Sequence, residues 1–518
     1  MDTQASTLNL TRIRLFTALA SVLLSLQAVY FDDILNDDGI MYLQMADAYL
    51  SGGFAAVVLI YDWPVFSILI AWLHQLTSIS LESCGFIINS ILFVLLTDAL
   101  VLISSLLISS QRQLVIAAIL VLCFIPINEY RDFIMRDPGY WAFSSLALYQ
   151  FMLFATAPNY RAATLWQLFI ITAILFRIEG VVILLTLPLF LLFINPISSA
   201  IGQLFQSLYL AIGAAIMALL LLTTQTDLSE AFGKLESILS YLTLDHYINL
   251  LNQSSTILKQ QILNQYSGRY ASFILVSGLL AMLAYKLLKT FSISYLILYF
   301  TASSKGLSWY KPRLQKLLLY LFLVNILVLS TFLFKHYFVS SRYAIFSLIS
   351  LLLLIMYPLC HGIEQLWLNR KKLLLSVVAL CLTYNVVDAT TFSGSKTFIK
   401  ETAIWAANHL PANSLVMTDD EFVLYYFDRE KTTSTLCVKK VFRPTDFTRE
   451  YTHKMRYLQG PCADGEAHDY KYYDYLIVVE KERYPKLVTF LKTLSLEQIY
   501  YQENVRLNDG ASVYKVIK

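Results

Sequence analysis

Apolar runs long enough to cross a bilayer, about 20 residues each, recur along most of this chain and alternate with short polar segments. The long runs are 12–30, 84–109, 139–157, 204–224, 271–289, 316–334, 342–359 and 373–390. Shorter apolar runs occupy 63–79 and 113–128. The pattern predicts a polytopic α-helical membrane protein.

Basic residues give the orientation of these runs, because short cytoplasmic loops carry the excess of Lys and Arg. We expect Arg112, Arg161, the 311–316 cluster and the 370–372 run to face the cytoplasm. Residues 31–62 hold six aspartates and no basic residue, so they face outward. The result is about eleven spanning helices with a cytoplasmic N-terminus. The first outer loop, 31–83, includes the 63–79 run as an amphipathic or re-entrant helix.

One long apolar stretch, 164–193, is interrupted by Arg177, Glu179 and Gly180. A single straight helix would hold two charges near the bilayer centre, which is costly. It would also reverse the orientation of every later basic cluster. We therefore predict two short helices that meet at Arg177–Gly180.

The composition changes after residue 390. Short β-type runs alternate with helical patterns, which is typical of a small α/β domain. The strand runs are 414–417, 475–479, 498–501 and 512–517, and the helical runs are 421–427 and 486–494. We predict a transmembrane domain over 1–390 and an extracytoplasmic α/β domain over 391–518. Cys437 and Cys462 lie in the latter and are equally compatible with a disulfide and with two free thiols.

Composition agrees with a membrane protein. Of the residues, 57% are hydrophobic and 14% charged, whereas soluble domains have about 45–50% apolar and about 25% charged residues. The net charge of +3, without a basic run interleaved with aromatic residues, argues against nucleic-acid binding. No Cys or His spacing indicates a metal site, so we predict no cofactor and leave a divalent metal open.

Two outer segments carry candidate acids. In Asn36-Asp37-Asp38-Gly39, adjacent carboxylates resist ionising together, so one of them suits a general base. The alternative is a helix N-cap. In the second segment, Asp137 before Pro138 fits a helix start. Its arginines, Arg131 and Arg136, suit either a site or an anchor in the headgroup layer.

Two further groups face the same side. Arg177 and Glu179 are recessed ionisable residues, which favours function, although a structural pair closing the hairpin is the alternative. Arg342-Tyr343 begins the 342–359 helix and is equally typical of an interfacial anchor. Asp98, inside an apolar run, predicts an interhelical hydrogen bond.

Acids and arginines on one outer face suit a lipid-linked phosphate, because arginine forks bind phosphate oxygens well. A carboxylate would then take the proton of an attacking hydroxyl. A transporter with a proton-coupled acid and an anion-binding arginine fits the same residues.

The order of these motifs resembles the GT-C superfamily of polyprenyl-phosphate-sugar glycosyltransferases, which includes the protein O-mannosyltransferases and the lipid A aminoarabinose transferase. The segment from Asp37 to Ala46, followed by Ser51-Gly52, resembles the first outer loop of that family. Met135-Arg136-Asp137-Pro138 resembles its second outer loop. Phe176 to Gly180 and Arg342-Tyr343 are similar to its later motifs. Asp62-Trp63-Pro64 departs from the family, since lipid A-type members have a basic residue before this proline.

The resemblance implies an inverting glycosyltransferase surrounded by membrane lipid, with a polyprenyl-phosphate-linked sugar as donor and a glycan, lipid or protein as acceptor. We expect a bacterial inner membrane, and an endoplasmic reticulum membrane would give the same sidedness. Asp37 takes the position of the catalytic base, and a one-residue shift of the match gives that role to Asp38. Asp137 would orient the acceptor or an arginine. Arg342, Arg177 and Arg136 would bind the donor phosphate, with Glu179 and Tyr343 in support. The rival classes are a transporter or lipid flippase and a non-catalytic membrane scaffold.

Overall fold

The computed structural model is mainly helical. It describes residues 2–31, 34–108, 110–224, 244–302, 309–390, 396–411, 414–418, 420–430, 473–480, 491–492, 494–504 and 509–517. Its helices are α1 (Asp2–Phe31), α2 (Asp37–Ile60), α3 (Val65–Thr77), α4 (Leu81–Leu107), α5 (Gln111–Leu122), α6 (Ile125–Asn128), α7 (Asp137–Thr156), α8 (Tyr160–Phe176), α9 (Gly180–Thr186), α10 (Leu191–Ile194), α11 (Ile197–Thr224), α12 (Leu244–Gln261), α13 (Ala271–Phe291), α14 (Ile293–Ala302), α15 (Pro312–His336), α16 (Ser341–Leu368), α17 (Lys372–Thr390), α18 (Thr397–His409) and α19 (Glu421–Glu430).

Long apolar helices confirm the prediction of an integral membrane protein. Within the described ranges, six segments are long and apolar enough to cross a bilayer. They are Asn9–Tyr30, Asp37–Ile60, Leu81–Leu107, Gly268–Phe291, Pro312–His336 and Ser341–Leu368. The count of eleven spanning helices stays a prediction.

Helix α2 is broken at Gly53, although its length alone would allow it to span. Gly53 has φ 68° and ψ −158°, a conformation that is essentially restricted to glycine. The break leaves helical segments 37–52 and 54–60, and neither reaches the about 20 residues that a spanning helix needs. The placement of this segment in the first outer loop stays a prediction.

The predicted helical hairpin is present. Helix α8 ends at Phe176 and α9 begins at Gly180, with Arg177 in extended backbone between them. Helix α8 packs along α7, where Gly139 permits close approach, because a Cβ there would overlap the ring of Phe176. The turn therefore lies next to the start of α7.

Asp98 contacts a neighbouring helix, as predicted, but its partner is charged. Arg14 of α1 donates from Nε and Nη2 to the two carboxylate oxygens of Asp98 on α4, each over 2.7 Å. The pair neutralises both charges within the helical region.

The chain divides into two compact units. The first consists of Met1–Ser25, Ser90–Arg131 and Arg136–Thr390. The second consists of Leu26–Asn89, Asp132–Met135 and Thr391–Lys518. The first outer loop and a four-residue piece of the second outer loop therefore share a unit with the C-terminal region.

A four-stranded sheet lies in the C-terminal region of the second unit. Its strands are β1 (Val416–Thr418), β2 (Tyr475–Glu480), β3 (Leu496–Asn504) and β4 (Asp509–Val516), in the order β1-β2-β4-β3. Strands β1 and β2 are parallel, and the other pairs are antiparallel. The four strands correspond to the predicted β-type runs. Cys437, Cys462 and most of the predicted 486–494 helix lie outside the described residues.

We expect Gly53→Ala to lower the free energy of unfolding by about 1–3 kcal/mol, because alanine is strained at this φ and ψ. The control is Gly278→Ala in α13, where an added Cβ meets nothing within 4 Å. The free energy of unfolding of both variants is measured in mixed detergent micelles. Equal stability of the two would contradict the broken α2.

Candidate active site

Arg177 is the centre of a buried charged group. Its Nη1 donates to Oδ1 of Asp137 at the start of α7, and its Nε and Nη2 donate to the two carboxylate oxygens of Glu179. Arg177 is 8% exposed and Asp137 2%, whereas the Glu179 side chain is 37% exposed. Arg177 thus does more than close its own hairpin, because it also joins the turn to α7.

The charges of this group stabilise one another. Burial alone would lower the pKa of Arg177, but the carboxylates of Asp137 and Glu179 raise this pKa well above its usual value. Burial alone would raise the pKa of Glu179, but Arg177 lowers it below its usual value. Arg177 and Glu179 are therefore both ionised at neutral pH.

Tyr343 links this group to Arg342. The guanidinium carbon of Arg177 lies 4.8 Å from the centroid of the Tyr343 ring, and that of Arg342 lies 5.3 Å from the same centroid. Both distances are typical of cation–π contacts. Phe332 packs edge-on against Tyr343 at 5.2 Å and supports the ring. Arg342 and Tyr343 are thus part of a cluster rather than isolated interfacial anchors.

Arg136 contributes to the same electrostatic environment. It is the residue before α7, and its charge further lowers the pKa of Glu179. We call Arg136, Asp137, Arg177, Glu179, Arg342 and Tyr343 the arginine cluster. It combines three guanidinium groups with two carboxylates, and arginine forks suit the binding of an anion such as a phosphate.

The two remaining predicted site residues lie in the second unit. Asp37 and Asp38 form the first turn of α2, where Asp37 is exposed and Asp38 half-buried. Neither is the N-cap, which is Asn36. Within the described part of the chain, the Asp37 carboxylate makes no hydrogen bond or ion pair. It is therefore accessible to a substrate hydroxyl.

Three contacts hold this acidic turn. Oη of Tyr426 on α19 accepts a hydrogen bond from the backbone N–H of Leu35 over 3.1 Å. The side-chain amide of Asn36 donates to the backbone oxygen of Ile134 over 3.3 Å and accepts from its N–H over 2.8 Å. The first outer loop is thus attached to the C-terminal region and to the segment Asp132–Met135.

Sequence reasoning missed Tyr130. Its ring meets Trp141 of α7 edge-on at 5.9 Å. Burial raises the pKa of Tyr130 to about 12, so the phenol stays protonated beside the charges of Arg342 and Asp137. Its position next to Arg131 was the only signal in the sequence.

Arg131 is buried rather than anchored among headgroups, so that alternative is wrong for this residue. It is 2% exposed. It donates to Asn128 Oδ1 over 2.8 Å, to Ser25 Oγ over 2.8 Å and to the backbone oxygen of Ser21 over 3.0 Å. Its guanidinium also covers the ring of Phe93 at 4.9 Å. These contacts fix the second outer loop to α1 and α4.

No group of three or more His, Cys, Asp or Glu side chains suited to a metal occurs among the residues that the structure describes.

Two solved structures share this fold. ArnT from Cupriavidus metallidurans in the apo state matches with a TM-score of 0.50 and 11% identity, over 99% of this chain and 98% of that chain. Arabinofuranosyltransferase AftD from mycobacteria matches with a TM-score of 0.50 and 12% identity, over 98% of this chain and 40% of that chain. This chain therefore spans about two fifths of the length of AftD.

ArnT, a lipid A aminoarabinose transferase, and AftD are both GT-C glycosyltransferases. At these identities the likeness shows the fold alone, and it is the fold that the order of the motifs predicts. No family model and no curated protein matches the sequence.

We expect Asp137→Asn to cost about 3–5 kcal/mol of unfolding free energy, because it leaves the buried Arg177 without its most buried partner. Glu179→Gln should cost about 1 kcal/mol or less, because water reaches that side chain and compensates for the lost pair. The free energy of unfolding of both variants, measured in detergent micelles, tests which substitution costs more. A larger cost for Glu179→Gln would contradict it.

Proposed function

We propose that this protein is an integral-membrane glycosyltransferase that moves a sugar from a polyprenyl phosphate to an acceptor hydroxyl on the extracytoplasmic face. The carrying observation is the arginine cluster, which joins the start of α7, the α8–α9 turn and the start of α16 through the ion pairs of Arg177 and its contact with the Tyr343 ring. The GT-C fold supports the same reaction class. The polyprenyl chain of such a donor would remain among the lipid tails while its phosphate binds to the cluster.

The donor phosphate would bind mainly to Arg342. Arg342 lies at the start of α16 against the Tyr343 ring, at 5.3 Å, while the hydrogen-bond donors of Arg177 are engaged by Asp137 and Glu179. Arg177 and Arg136 would contribute longer-range attraction. Fixed cations of this kind stabilise the charge that builds on a departing phosphate.

Asp37 would be the general base. It would take the proton of the acceptor hydroxyl while that oxygen attacks the anomeric carbon of the donor. The bond between this carbon and the phosphate oxygen breaks, and its electron pair leaves with the lipid phosphate. A single displacement inverts the anomeric configuration. Asp38, the next residue, is the alternative base.

Asp137 and Glu179 would orient the cluster. Both accept hydrogen bonds from Arg177, and Asp137 lies at the start of α7, so Arg177 has a fixed position beside Tyr343. Between the two roles expected for Asp137, this favours orientation of an arginine. Tyr130, as a protonated phenol, would donate a hydrogen bond to a phosphate or acceptor oxygen.

The setting we propose is a bacterial inner membrane, with the C-terminal α/β region outside the cytoplasm and a glycan, lipid or protein as the acceptor. ArnT transfers to lipid A, and AftD is an arabinofuranosyltransferase. We propose a pentose or a hexose as the donor sugar; both of these names refer to an arabinose-type pentose, which favours a pentose.

We expect Asp37→Asn to lower kcat by about 10²–10⁴-fold, the usual contribution of a general base. Purified protein is incubated with radiolabelled polyprenyl-phosphate sugars and candidate acceptors, and the release of sugar from lipid is measured. Asp47→Asn is the matched control, because Asp47 is an exposed aspartate on the same helix. It should retain full activity.

Three outcomes would contradict this assignment. Full activity in Asp37→Asn would move the base to Asp38, which Asp38→Asn then tests. Movement of intact labelled donor across a vesicle membrane without cleavage would identify a transporter or flippase. Neither movement nor cleavage by the wild-type protein, with any of the donors, would favour a scaffold.

We expect Arg342→Gln to lower kcat/KM by about 10²-fold, with a raised KM for the donor, because a charge that faces the leaving phosphate is lost. Arg269→Gln is the control, since Arg269 makes a similar cation–π contact, with Tyr270 at 4.7 Å. Initial rates over a range of donor concentrations measure both variants. Equal effects of the two substitutions would exclude a specific role for Arg342.

A further inference from the structure

Asn36 occupies a position where asparagine normally caps a helix. It is the N-cap residue of α2, with φ −76° and ψ 155°. At such positions the side-chain oxygen usually accepts a hydrogen bond from a backbone N–H of the first helical turn. Asn36 makes no such bond. Its side chain therefore has another task.

That task is a two-way bridge to one residue of the second outer loop. The amide donates to the backbone oxygen of Ile134 and accepts from its backbone N–H, over 3.3 Å and 2.8 Å. Both backbone groups of Ile134 are thus occupied by a single side chain. The pairing resembles that of adjacent strands, and it defines both position and orientation.

Two glycines, Gly39 and Gly85, lie directly against the residues of this bridge. A Cβ at Gly39 would lie 2.6 Å from Oδ1 of Asn36 and 3.3 Å from Cβ of Ile134. A Cβ at Gly85 would lie 2.9 Å from Cδ1 of Ile134. Ile134 itself has no exposed surface. Two glycines therefore make the space in which Asn36 and Ile134 meet.

Both ends of the bridge lie close in the chain to candidate site residues. Asn36 directly precedes Asp37, and Ile134 precedes Arg136 and Asp137 by two and three residues in the chain. We propose that Asn36 is a positioning residue that aligns the general base with the second outer loop, an inference that rests on the proposed glycosyl transfer. Its amide acts on Asp37 through the backbone and touches no substrate.

Asn89 provides a matched comparison. It is a buried asparagine on α4, and its side chain donates to the backbone oxygen of Phe133, the neighbour of Ile134. Asn89 therefore holds the same segment but is not attached to the acidic turn. A purely structural role in holding Asp132–Met135 would make the two asparagines equivalent.

The test compares Asn36→Ala, Asn36→Ser and Asn89→Ala in the full chain. Serine caps a helix about as well as asparagine but is too short to bridge Ile134. We expect both Asn36 variants to lose about 10²-fold in kcat with little change in donor KM, because small displacements of a catalytic group have effects of this size. Asn89→Ala should keep most of its kcat.

Wild-type kcat in Asn36→Ser would overturn the proposal in favour of helix capping. An equal loss in Asn89→Ala would overturn it in favour of a structural role. Hydrogen–deuterium exchange provides a readout that does not depend on activity. The Ile134 amide should exchange faster in both Asn36 variants and remain protected in Asn89→Ala.

Unchanged exchange at Ile134 in the Asn36 variants would overturn the bridge itself. If the wild-type protein transfers no sugar, the proposed function fails while the exchange comparison still decides whether the bridge exists.

Discussion

Arg177 is a charge removed from water, and its need for opposite charges nearby shapes one part of the first unit. Arg177 interrupts an apolar stretch that would otherwise form a single helix. Its burial is tolerated because Asp137 and Glu179 supply two carboxylates. The pairing requires the α8–α9 turn to lie at the start of α7. Tyr343 extends the arrangement to α16, since its ring is shared by Arg177 and Arg342.

The second unit depends on close backbone contacts rather than on charge. Ile134 is enclosed by Gly39, Gly85 and the amide of Asn36. Tyr426 of the C-terminal region accepts a hydrogen bond from Leu35, two residues before Asp37. These contacts explain why the acidic turn shares a unit with residues 391–518.

Periodicity and charge were sufficient for many of the long apolar helices and for the hairpin, but not for α2 and α12, which lie in segments predicted as outer loops. The apolar run 164–193 contains Arg177 and Glu179. As one straight helix it would hold both charges near the bilayer centre at a high free-energy cost, so only two short helices were compatible with it. The order of the motifs also selected Asp137, Arg177, Glu179, Arg342 and Tyr343, which the structure brings together. The contact of Asp37 and Asp38 with a shared substrate stays a prediction.

The remaining features depend on contacts between distant residues. Arg131 was compatible with a headgroup anchor until its hydrogen bonds to Ser21 and Ser25, more than 100 residues earlier, were visible. The break at Gly53 depends on a backbone angle that an apolar pattern does not encode. Asn36 has the sequence context of a cap, and only the position of Ile134 reveals its actual partner.

A structure with a bound, non-cleavable polyprenyl-phosphate sugar tests the central claim most directly. The account predicts a phosphate in contact with Arg342 beside Tyr343. It also predicts an open position for an acceptor hydroxyl between the anomeric carbon and Asp37, within about 3 Å of the carboxylate. A donor phosphate bound away from the arginine cluster, or an anomeric carbon that faces away from Asp37 and Asp38, would contradict it.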